Sequence, residues 1–482
     1  MPRSLPLNLM IIGGAFLMAL IVIVSSLMGL GVLALALPVV MAGGLLVFFH
    51  PFLGLLFITF FVQLDALLRI VPTSSMLTPE KLITMVALAG VILLGFRESR
   101  KLRLGPPEPL VQMAMMFGLV ILTSFFFIKD LDFGLWSVRK YLSLLGMLYL
   151  TIRVVKEFSQ VRLLLLVIVI STGLSSAMVV MDYVTGTTLV GGSHAATVAS
   201  YQGVSRSAGG SDYNPTTAAT MNLAGTTLAL ILFLRMKKWR ILTGPTILVG
   251  TIAIILSFAR SAALVYVLLV FWLYWKFRRH RLLPVAFAVA IIVVVVAVPL
   301  IPSEYWDRLM TLVQDWKQDD SIMARISYNT VGLQLLASHP LLGIGPGQFQ
   351  YYYADPIYRF MPSQRIFINR QLHNMYLEVG TETGLVGMFL FVAMIVLGAI
   401  CLNRVRKYGP TREIRTYAEA FHYSYVGFMA VSLFMPNEYN KYVWLYIALA
   451  VAFARAVLPD WGRKTIRITT DPQPKAAGPD DS

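Results

Sequence analysis

Long apolar runs separated by short polar segments dominate the chain from about Leu7 to Leu458. Many of the runs reach the roughly 18 residues that an α-helix needs to cross a hydrocarbon core about 30 Å thick. The pattern predicts an all-α, polytopic integral membrane protein with about 12–14 transmembrane helices and one large extramembrane loop. The predicted spans lie at 8–26, 29–49, 51–69, 81–96, 109–128, 134–152, 163–183, 215–234, 241–259, 261–275, 282–301, 380–403, 418–436 and 441–458.

Composition supports this architecture. The 482 residues are 57% hydrophobic and 13% charged, with a mean hydropathy of +0.72, which excludes an ordinary soluble domain. The first run, from Leu7, lacks a small-residue cleavage site and continues into the second run, so we expect an anchor rather than a removed signal. A single cysteine, Cys401, excludes an internal disulfide.

The distribution of basic residues decides what the net charge of +16 means. They fall in short clusters between apolar runs, as the positive-inside rule expects, so no nucleic-acid partner is predicted. With the N-terminus inside, every cluster lies on the cytoplasmic side, whether the total is fourteen spans or twelve. The clusters are Arg97/Arg100/Lys101/Arg103, Arg153/Lys156/Arg162, Arg235/Lys237/Lys238/Arg240, Lys276/Arg278/Arg279/Arg281, Arg404/Arg406/Lys407/Arg412/Arg415 and Arg463/Lys464/Arg467.

The same alternation of spans places three features on the side of the membrane opposite the cytoplasm. They are the segment 184–214, the surroundings of Arg260, and the long segment 302–373. Arg260 is the single charge within 241–275, which has cytoplasmic clusters at both ends. As one helix this stretch would be about 52 Å long, well beyond a hydrocarbon core of about 30 Å. A hairpin of two short spans, with Arg260 at its outer apex, is predicted instead.

Two isolated arginines on the outer side are candidate anion ligands. Guanidinium stays charged and binds phosphate oxygens in bidentate fashion, which favours a ligand role for Arg260 over one that merely snorkels to the interface. Arg206 lies among glycines and small residues that let backbone N–H groups approach an anion. Asn214 is predicted to cap the next helix, with Pro215 in its first turn. An ordinary flexible loop with an incidental arginine is the alternative for Arg206.

His373 directly precedes an amphipathic helix start at the end of the long loop. Helical spacing puts Asn374 and Glu378 one turn apart, on one face with Arg370, and Tyr376 lies between them. An imidazole titrates near working pH, so His373 is a candidate general base. A histidine that only caps the helix is the alternative.

Further polar residues are weaker candidates. Arg139 and Lys140 lie in the outer third of a predicted span, where charges usually mark a site, although both could snorkel. A helix is predicted to begin at Asp320 or Ser321 and to carry Arg325, which could orient the loop or contact a ligand. The aromatic run 351–353 is expected to pack the loop rather than stack on sugars.

No His-Glu-x-x-His pattern, aspartate cluster or cysteine pair predicts a metal site, and no cofactor is expected.

Three motifs together resemble the O-antigen ligase and O-antigen polymerase superfamily, a group of bacterial inner-membrane glycan transferases. Each motif is weak alone, but their order over about 200–390 is specific, and the stretch from Arg206 to Asn214-Pro215 is similar to the one that precedes them in the family. The first motif departs from the family pattern at Phe258-Ala259. The motifs are Ser257-Phe-Ala-Arg260-Ser-Ala, His339-Pro-Leu-Leu-Gly-Ile-Gly-Pro-Gly-Gln-Phe349, and His373-Asn374-x-Tyr376-Leu-Glu378 followed by Glu382-Thr-Gly384-Leu-x-Gly387.

The resemblance implies a donor glycan on undecaprenyl diphosphate, used on the periplasmic side of the inner membrane. Arg206 and Arg260 would bind the diphosphate, and His373 would accept a proton from, or orient, an acceptor hydroxyl during inverting, metal-independent displacement. The acceptor would be lipid A-core or another glycan. The implied organisation is N-terminal helices at 1–200, a catalytic core at 201–404 including the periplasmic loop 302–373, C-terminal helices at 405–462 and a disordered cytoplasmic tail at 463–482.

Other functions stay open at the level of sequence. A ligase is favoured because Arg206, Arg260 and His373 match that pattern most fully, with a polymerase that joins lipid-linked repeat units as the alternative. A solute transporter for a small anion is less favoured, because we find no repeated halves with broken helices near mid-depth. A structural scaffold is disfavoured by isolated arginines at membrane-embedded helix ends.

Overall fold

A computed structural model describes residues 32–70, 79–98, 108–187, 207–211, 214–281, 284, 320–355 and 370–458. All regular elements within these ranges are helical, which confirms the all-α class. The α-helices are α1 (Val32–Phe49), α2 (Pro51–Phe61), α3 (Pro79–Glu98), α4 (Pro109–Ser124), α5 (Leu131–Val154), α6 (Phe158–Thr185), α7 (Pro215–Arg235), α8 (Arg240–Leu256), α9 (Arg260–Phe277), α10 (Asp320–Ser338), α11 (Phe349–Ala354), α12 (Met375–Tyr408), α13 (Arg412–Val431) and α14 (Lys441–Val457).

Six helices in the described part of the chain are long and apolar enough to cross a membrane, namely α4, α6, α7, α8, α9 and α12. They establish a polytopic membrane protein. The hairpin predicted around Arg260 is confirmed, because α8 ends at Leu256 and α9 begins at Arg260. The predicted spans at 8–26 and 282–301, and the polar tail, lie outside the described residues.

The predicted span 51–69 is not one helix. The chain turns by 116° at the end of α1, where Pro51 begins α2, and α2 ends at Phe61. Its length of about 16 Å is too short for a core of about 30 Å. Gln63, which follows, is fully buried and donates to the Tyr442 hydroxyl at 3.1 Å, and a 3-10 helix covers Asp65–Ile70. Polar side chains bonded inside the protein explain why the helix stops early.

The core of the bundle surrounds α14, which is buried from Tyr442 to Ala454. Trp444 packs against Phe117 of α4 and Phe391 of α12, with ring centroids 5.8 and 5.6 Å apart. Elsewhere small residues bring helices together: a Cβ atom at Gly225 of α7 would lie 1.8 Å from the Thr172 hydroxyl of α6. Such close backbone approach is the usual basis of helix association in a membrane.

Ion pairs gather the basic clusters at one end of the bundle, which we call the basic end. Glu413 pairs with Lys238 at 2.8 Å and with Arg162 at 3.6 Å, and Glu419 pairs with Lys276 at 2.8 Å and Arg235 at 3.3 Å. These contacts join three of the predicted clusters, and Glu413 itself lies between Arg412 and Arg415 of a fourth. They confirm that those clusters share one end.

The opposite end carries α10, α11 and the start of α12, and we call it the His373 end. α12 starts at this end and contains a kink at Gly384, and its part from Leu385 to Tyr408 alone is about 36 Å long. Its first backbone N–H, that of Met375, donates to the Met435 carbonyl at 3.1 Å, in the turn before α14. The two ends are therefore separated by a full membrane-spanning distance.

A break divides α12 at Gly384, whose φ of 71° and ψ of −177° are accessible almost only to glycine. The break releases two carbonyl groups from the helix ladder. The Thr381 carbonyl accepts from Ile344 N–H and the Glu382 carbonyl from Gly345 N–H, each at 3.0 Å. A buried helix break is thus satisfied by a loop from outside the helix.

That loop is the glycine motif 339–349, hereafter the glycine loop. Gly343, Gly345 and Gly347 all have positive φ, and a Cβ atom on Gly343 would lie 2.4 Å from the Glu382 carbonyl carbon. The Gln348 side chain accepts from the backbone N–H groups of Lys129 and Asp130 at 2.9 and 2.8 Å. The loop therefore joins the broken helix α12 to the α4–α5 turn.

Gly384→Ala should destabilise the protein strongly. A Cβ atom there would lie 2.2 Å from the Leu341 carbonyl oxygen, and the backbone angles disfavour any side chain. We expect a loss of more than about 2 kcal/mol, measured as a lower Tm in detergent. Gly43→Ala in α1, where no atom lies within 4 Å of the added methyl, is the control and should leave Tm unchanged or higher. Equal Tm values for both variants would contradict the assigned role of the break.

Candidate active site

A small second core holds the loop helices on α12 at the His373 end. Tyr352 and Tyr353 of α11 are buried, whereas Tyr351 is exposed, so packing is the main role of this aromatic run, as predicted. The predicted helix that carries Arg325 is present as α10 (Asp320–Ser338). The buried members of this core are Tyr328, Val331, Leu335, Ile344, Phe349, Tyr352, Tyr353, Leu372 and Leu377.

His373 projects from a tight turn between this core and α12. Its φ is +60°, a left-handed conformation that is uncommon for a residue with a side chain. The imidazole stacks on the Tyr328 ring with centroids 5.7 Å apart and planes at 22°. On one side Leu372 N–H donates to the Glu378 carboxylate at 3.1 Å, and on the other Asn374 caps α12 by accepting from Leu377 N–H at 3.2 Å. The ring is held in place before any ligand arrives.

The surroundings of His373, which precedes the α12 span, keep its ring neutral. Burial, then the positive charges of Arg325 and Arg370, lower the pKa of His373 to about 4. Its Nδ1 atom is buried and has no hydrogen-bond partner among the described residues. The structure thus brings together three predicted site residues, and it presents a neutral imidazole between two guanidinium groups at pH 7.

Arg260 lies at the same end as His373. It is the first residue of α9, whose other end reaches Glu419 at the basic end through Lys276. The turn before it contains Phe258 at φ +51°, and Ser257 Oγ accepts from Ala259 N–H at 3.3 Å. Arg260 itself is half-buried.

Arg206 lies outside the described residues. The next residue, Ser207, is buried and donates to Asp182, near the last turn of α6, at 2.5 Å. Because α6 begins with Arg162 at the basic end, Ser207 belongs to the His373 end. Asn214 caps α7 by accepting from Thr217 N–H at 2.9 Å, as predicted.

The remaining predicted site residues are of two kinds. Tyr376 and Glu378 support the start of α12, whereas Arg139 and Lys140 lie on α5. The Tyr376 hydroxyl donates to the Met429 carbonyl at 2.8 Å, and Glu378 is only 1% exposed. Both side chains hold α12 in place. Arg139 is exposed and donates to its own helix at Leu135, whereas Lys140 on the next face lines a cavity elsewhere.

Sequence reasoning missed two groups around His373. Tyr328 stacks on the imidazole, but nothing in α10 marks it among the loop tyrosines. Behind the turn, Glu382 accepts from the Tyr439 hydroxyl at 2.8 Å, and the neighbouring Glu438 is fully buried. Burial raises the pKa of the Glu438 carboxyl well above its ordinary value. The only sequence signal was a polar Asn437-Glu438 pair between two apolar runs.

One comparison with known proteins matches the region that contains this site. Residues 245–392 match the family model described as O-antigen ligase. The match contains α8, α9, α10, α11 and the first half of α12, and so covers Arg260, the glycine loop and His373. No curated protein matches the chain. The resemblance stated from the motifs is therefore supported by the region that builds the site.

The protonation of His373 can be measured directly. We expect its ring to titrate near pH 4 in the free protein, because burial and two guanidinium groups disfavour the imidazolium. Folding lowers the pKa of His373, so the neutral ring favours the folded state at pH values above its ordinary pKa of 6.5. This stabilisation is lost as the pH falls toward 4, because the unfolded chain then binds a proton that the folded protein does not. Histidine-labelled NMR in micelles, with His373→Gln to assign the signal, tests this. Titration of His373 above pH 6 would contradict it.

Proposed function

We propose that this chain, whose residues 245–392 match the O-antigen ligase family model, transfers a glycan from undecaprenyl diphosphate to an acceptor hydroxyl at the His373 end. The observation that carries the proposal is the His373 imidazole, which stacks on Tyr328, has a buried Nδ1 atom without a hydrogen-bond partner among the described residues, and lies at the same end as Arg260. This end faces the periplasm in our proposal, because the basic clusters gather at the other end.

The arginines act on the leaving group. As the bond between the anomeric carbon and the diphosphate oxygen breaks, its electron pair passes to the diphosphate. Arg260, Arg206 and Arg370 stabilise the growing negative charge through charge-assisted hydrogen bonds. Arg325 on α10 adds a further positive charge from the loop side. Cationic side chains thereby neutralise a diphosphate without requiring a metal ion.

His373 acts on the acceptor. A hydroxyl oxygen attacks the anomeric carbon from the face opposite the diphosphate, so the configuration inverts, and its proton passes to the imidazole. In the free protein the ring is a weak base, because burial and then the positive charges of Arg325 and Arg370 lower the pKa of His373. A bound diphosphate would offset those charges and raise the pKa of His373. The donor would therefore activate the base that its own transfer requires.

The acceptor we favour is lipid A-core, which makes the protein a ligase, in agreement with the description of the matching family. A polymerase would instead extend one lipid-linked glycan with another. The two differ only in the acceptor, so the same Arg260 and His373 chemistry serves both. Purified protein should be given undecaprenyl-diphosphate oligosaccharide with either lipid A-core or a second donor molecule. Product on lipid A-core supports the ligase, and elongated donor supports the polymerase.

His373→Asn should lower the transfer rate by about 10²–10⁴-fold through loss of proton transfer. Asparagine tolerates the left-handed φ of this turn, so the backbone should survive while the base is lost. His339→Gln is the matched control, because that ring bonds only locally, to Ser338 and the Leu335 carbonyl. A His373→Asn enzyme with normal turnover, measured by product formation in vitro, would refute the base assignment.

Arg260→Ala should reduce transfer by at least about 10²-fold, because it removes a cation from the leaving diphosphate. Arg260→Lys should recover part of that loss, since the charge returns without the bidentate fork. Both variants should insert into membranes like the unaltered protein. Full activity of Arg260→Ala at saturating donor would rule out its role at the leaving group.

A further inference from the structure

We propose that a second anion site, separate from the His373 turn, lies between α3, α5 and the start of α14 and binds the phosphate headgroup of a lipid. Lys81, Lys140 and Lys441 line a cavity of about 20 Å³ there, together with Glu80 and Ser143. None of its lining residues belongs to the His373 turn or the glycine loop. The inference does not depend on the proposed glycan transfer.

The charges around the cavity favour an anion. Lys140 lies among Lys441, Asp65, Lys81 and Glu80, so three ammonium groups face two carboxylates and one positive charge remains. Glu80 is already engaged, because its carboxylate lies 3.2 Å from Lys441 Nζ. Lys140 makes no ion pair or hydrogen bond with any described residue. Lys140 is half-buried, and a cation shielded from water in this way normally has a close partner.

The backbone adds to the positive potential. α14 begins at Lys441, with Asn440 as its cap, and α3 begins at Pro79, just before Glu80 and Lys81. Helix N-termini carry partial positive charge and favour anions. Here their partial charges add to those of the ammonium groups, and the lysine side chains are the main source of the positive potential.

The size of the cavity limits how the ligand enters. A volume of about 20 Å³ accommodates one water-sized group, since a single water needs roughly 10–15 Å³ on this measure. One phosphate oxygen fits next to the ammonium groups, and the rest of the phosphate must remain at the mouth. A sugar ring or a complete diphosphate is too large.

The surroundings of the cavity point to a lipid rather than to free phosphate. Leu144 and Met147 line its wall, and the neighbouring surface exposes Leu82 and Met85 of α3 and Leu142 of α5, the first two by 46% and 61%. On a membrane protein such a surface contacts acyl chains. An amphiphile can place its phosphate on the lysines and its chains on this apolar face at once.

Binding can be measured on the full-length protein in a neutral detergent, using short-chain phosphatidic acid as the phosphate lipid. We expect phosphatidic acid to raise Tm in a saturable way, since a ligand that binds only the folded state stabilises it. Diacylglycerol with the same chains, which lacks the phosphate, should not. Inorganic phosphate should bind more than tenfold more weakly than phosphatidic acid. Equal affinity for inorganic phosphate would overturn the lipid assignment.

Lys140→Met is the decisive variant. Loss of one charge-assisted contact should weaken phosphatidic acid binding by about 10- to 100-fold. The same variant should have an equal or higher Tm without lipid, because an unpaired cation has been removed from the interior. Lys156→Met, which removes an exposed lysine outside the cavity, should bind like the unaltered protein. Unchanged lipid affinity in Lys140→Met, or an equal loss in Lys156→Met, would overturn the proposal.

Discussion

The broken helix α12 is the feature on which the rest of the structure depends. At Gly384 the helix gives up backbone hydrogen bonds inside the protein, and the glycine loop replaces them with the N–H groups of Ile344 and Gly345. The same loop is bonded to the α4–α5 turn through Gln348. Because unsatisfied buried backbone groups are expensive, this joint fixes the loop helices relative to the bundle. The position of His373 follows from it.

The positively charged side chains have different partners at the two ends of the bundle. At the basic end, Glu413 and Glu419 each hold two cations, so the clusters that set the orientation are partly neutralised. At the His373 end, Arg325 and Arg370 lie close enough to lower the pKa of a histidine. Lys140 has no anionic partner among the described residues. A surplus of positive charge there suits a protein whose proposed substrates carry phosphate.

The supports around His373 explain why several polar residues near it need not touch substrate. Glu378 holds the preceding turn, Asn374 caps α12, and the Tyr376 hydroxyl is bonded to the Met429 carbonyl. These bonds oppose the strain of a left-handed backbone at His373. A precisely oriented imidazole therefore rests on neighbours whose own side chains are already engaged.

The sequence by itself determined the helical class, the six described helices that can cross a membrane, the hairpin at Arg260 and the shared end of several basic clusters. These depend on local hydropathy, charge and helix length, which any window of the chain records. It also marked His373, Arg325 and Arg370 as separate candidates. Only the tertiary structure decided that they are neighbours, that Tyr328 stacks on the imidazole, and that 51–69 is not one helix. Those outcomes depend on contacts between residues far apart in sequence, such as Gln63 with Tyr442, which hydropathy cannot encode.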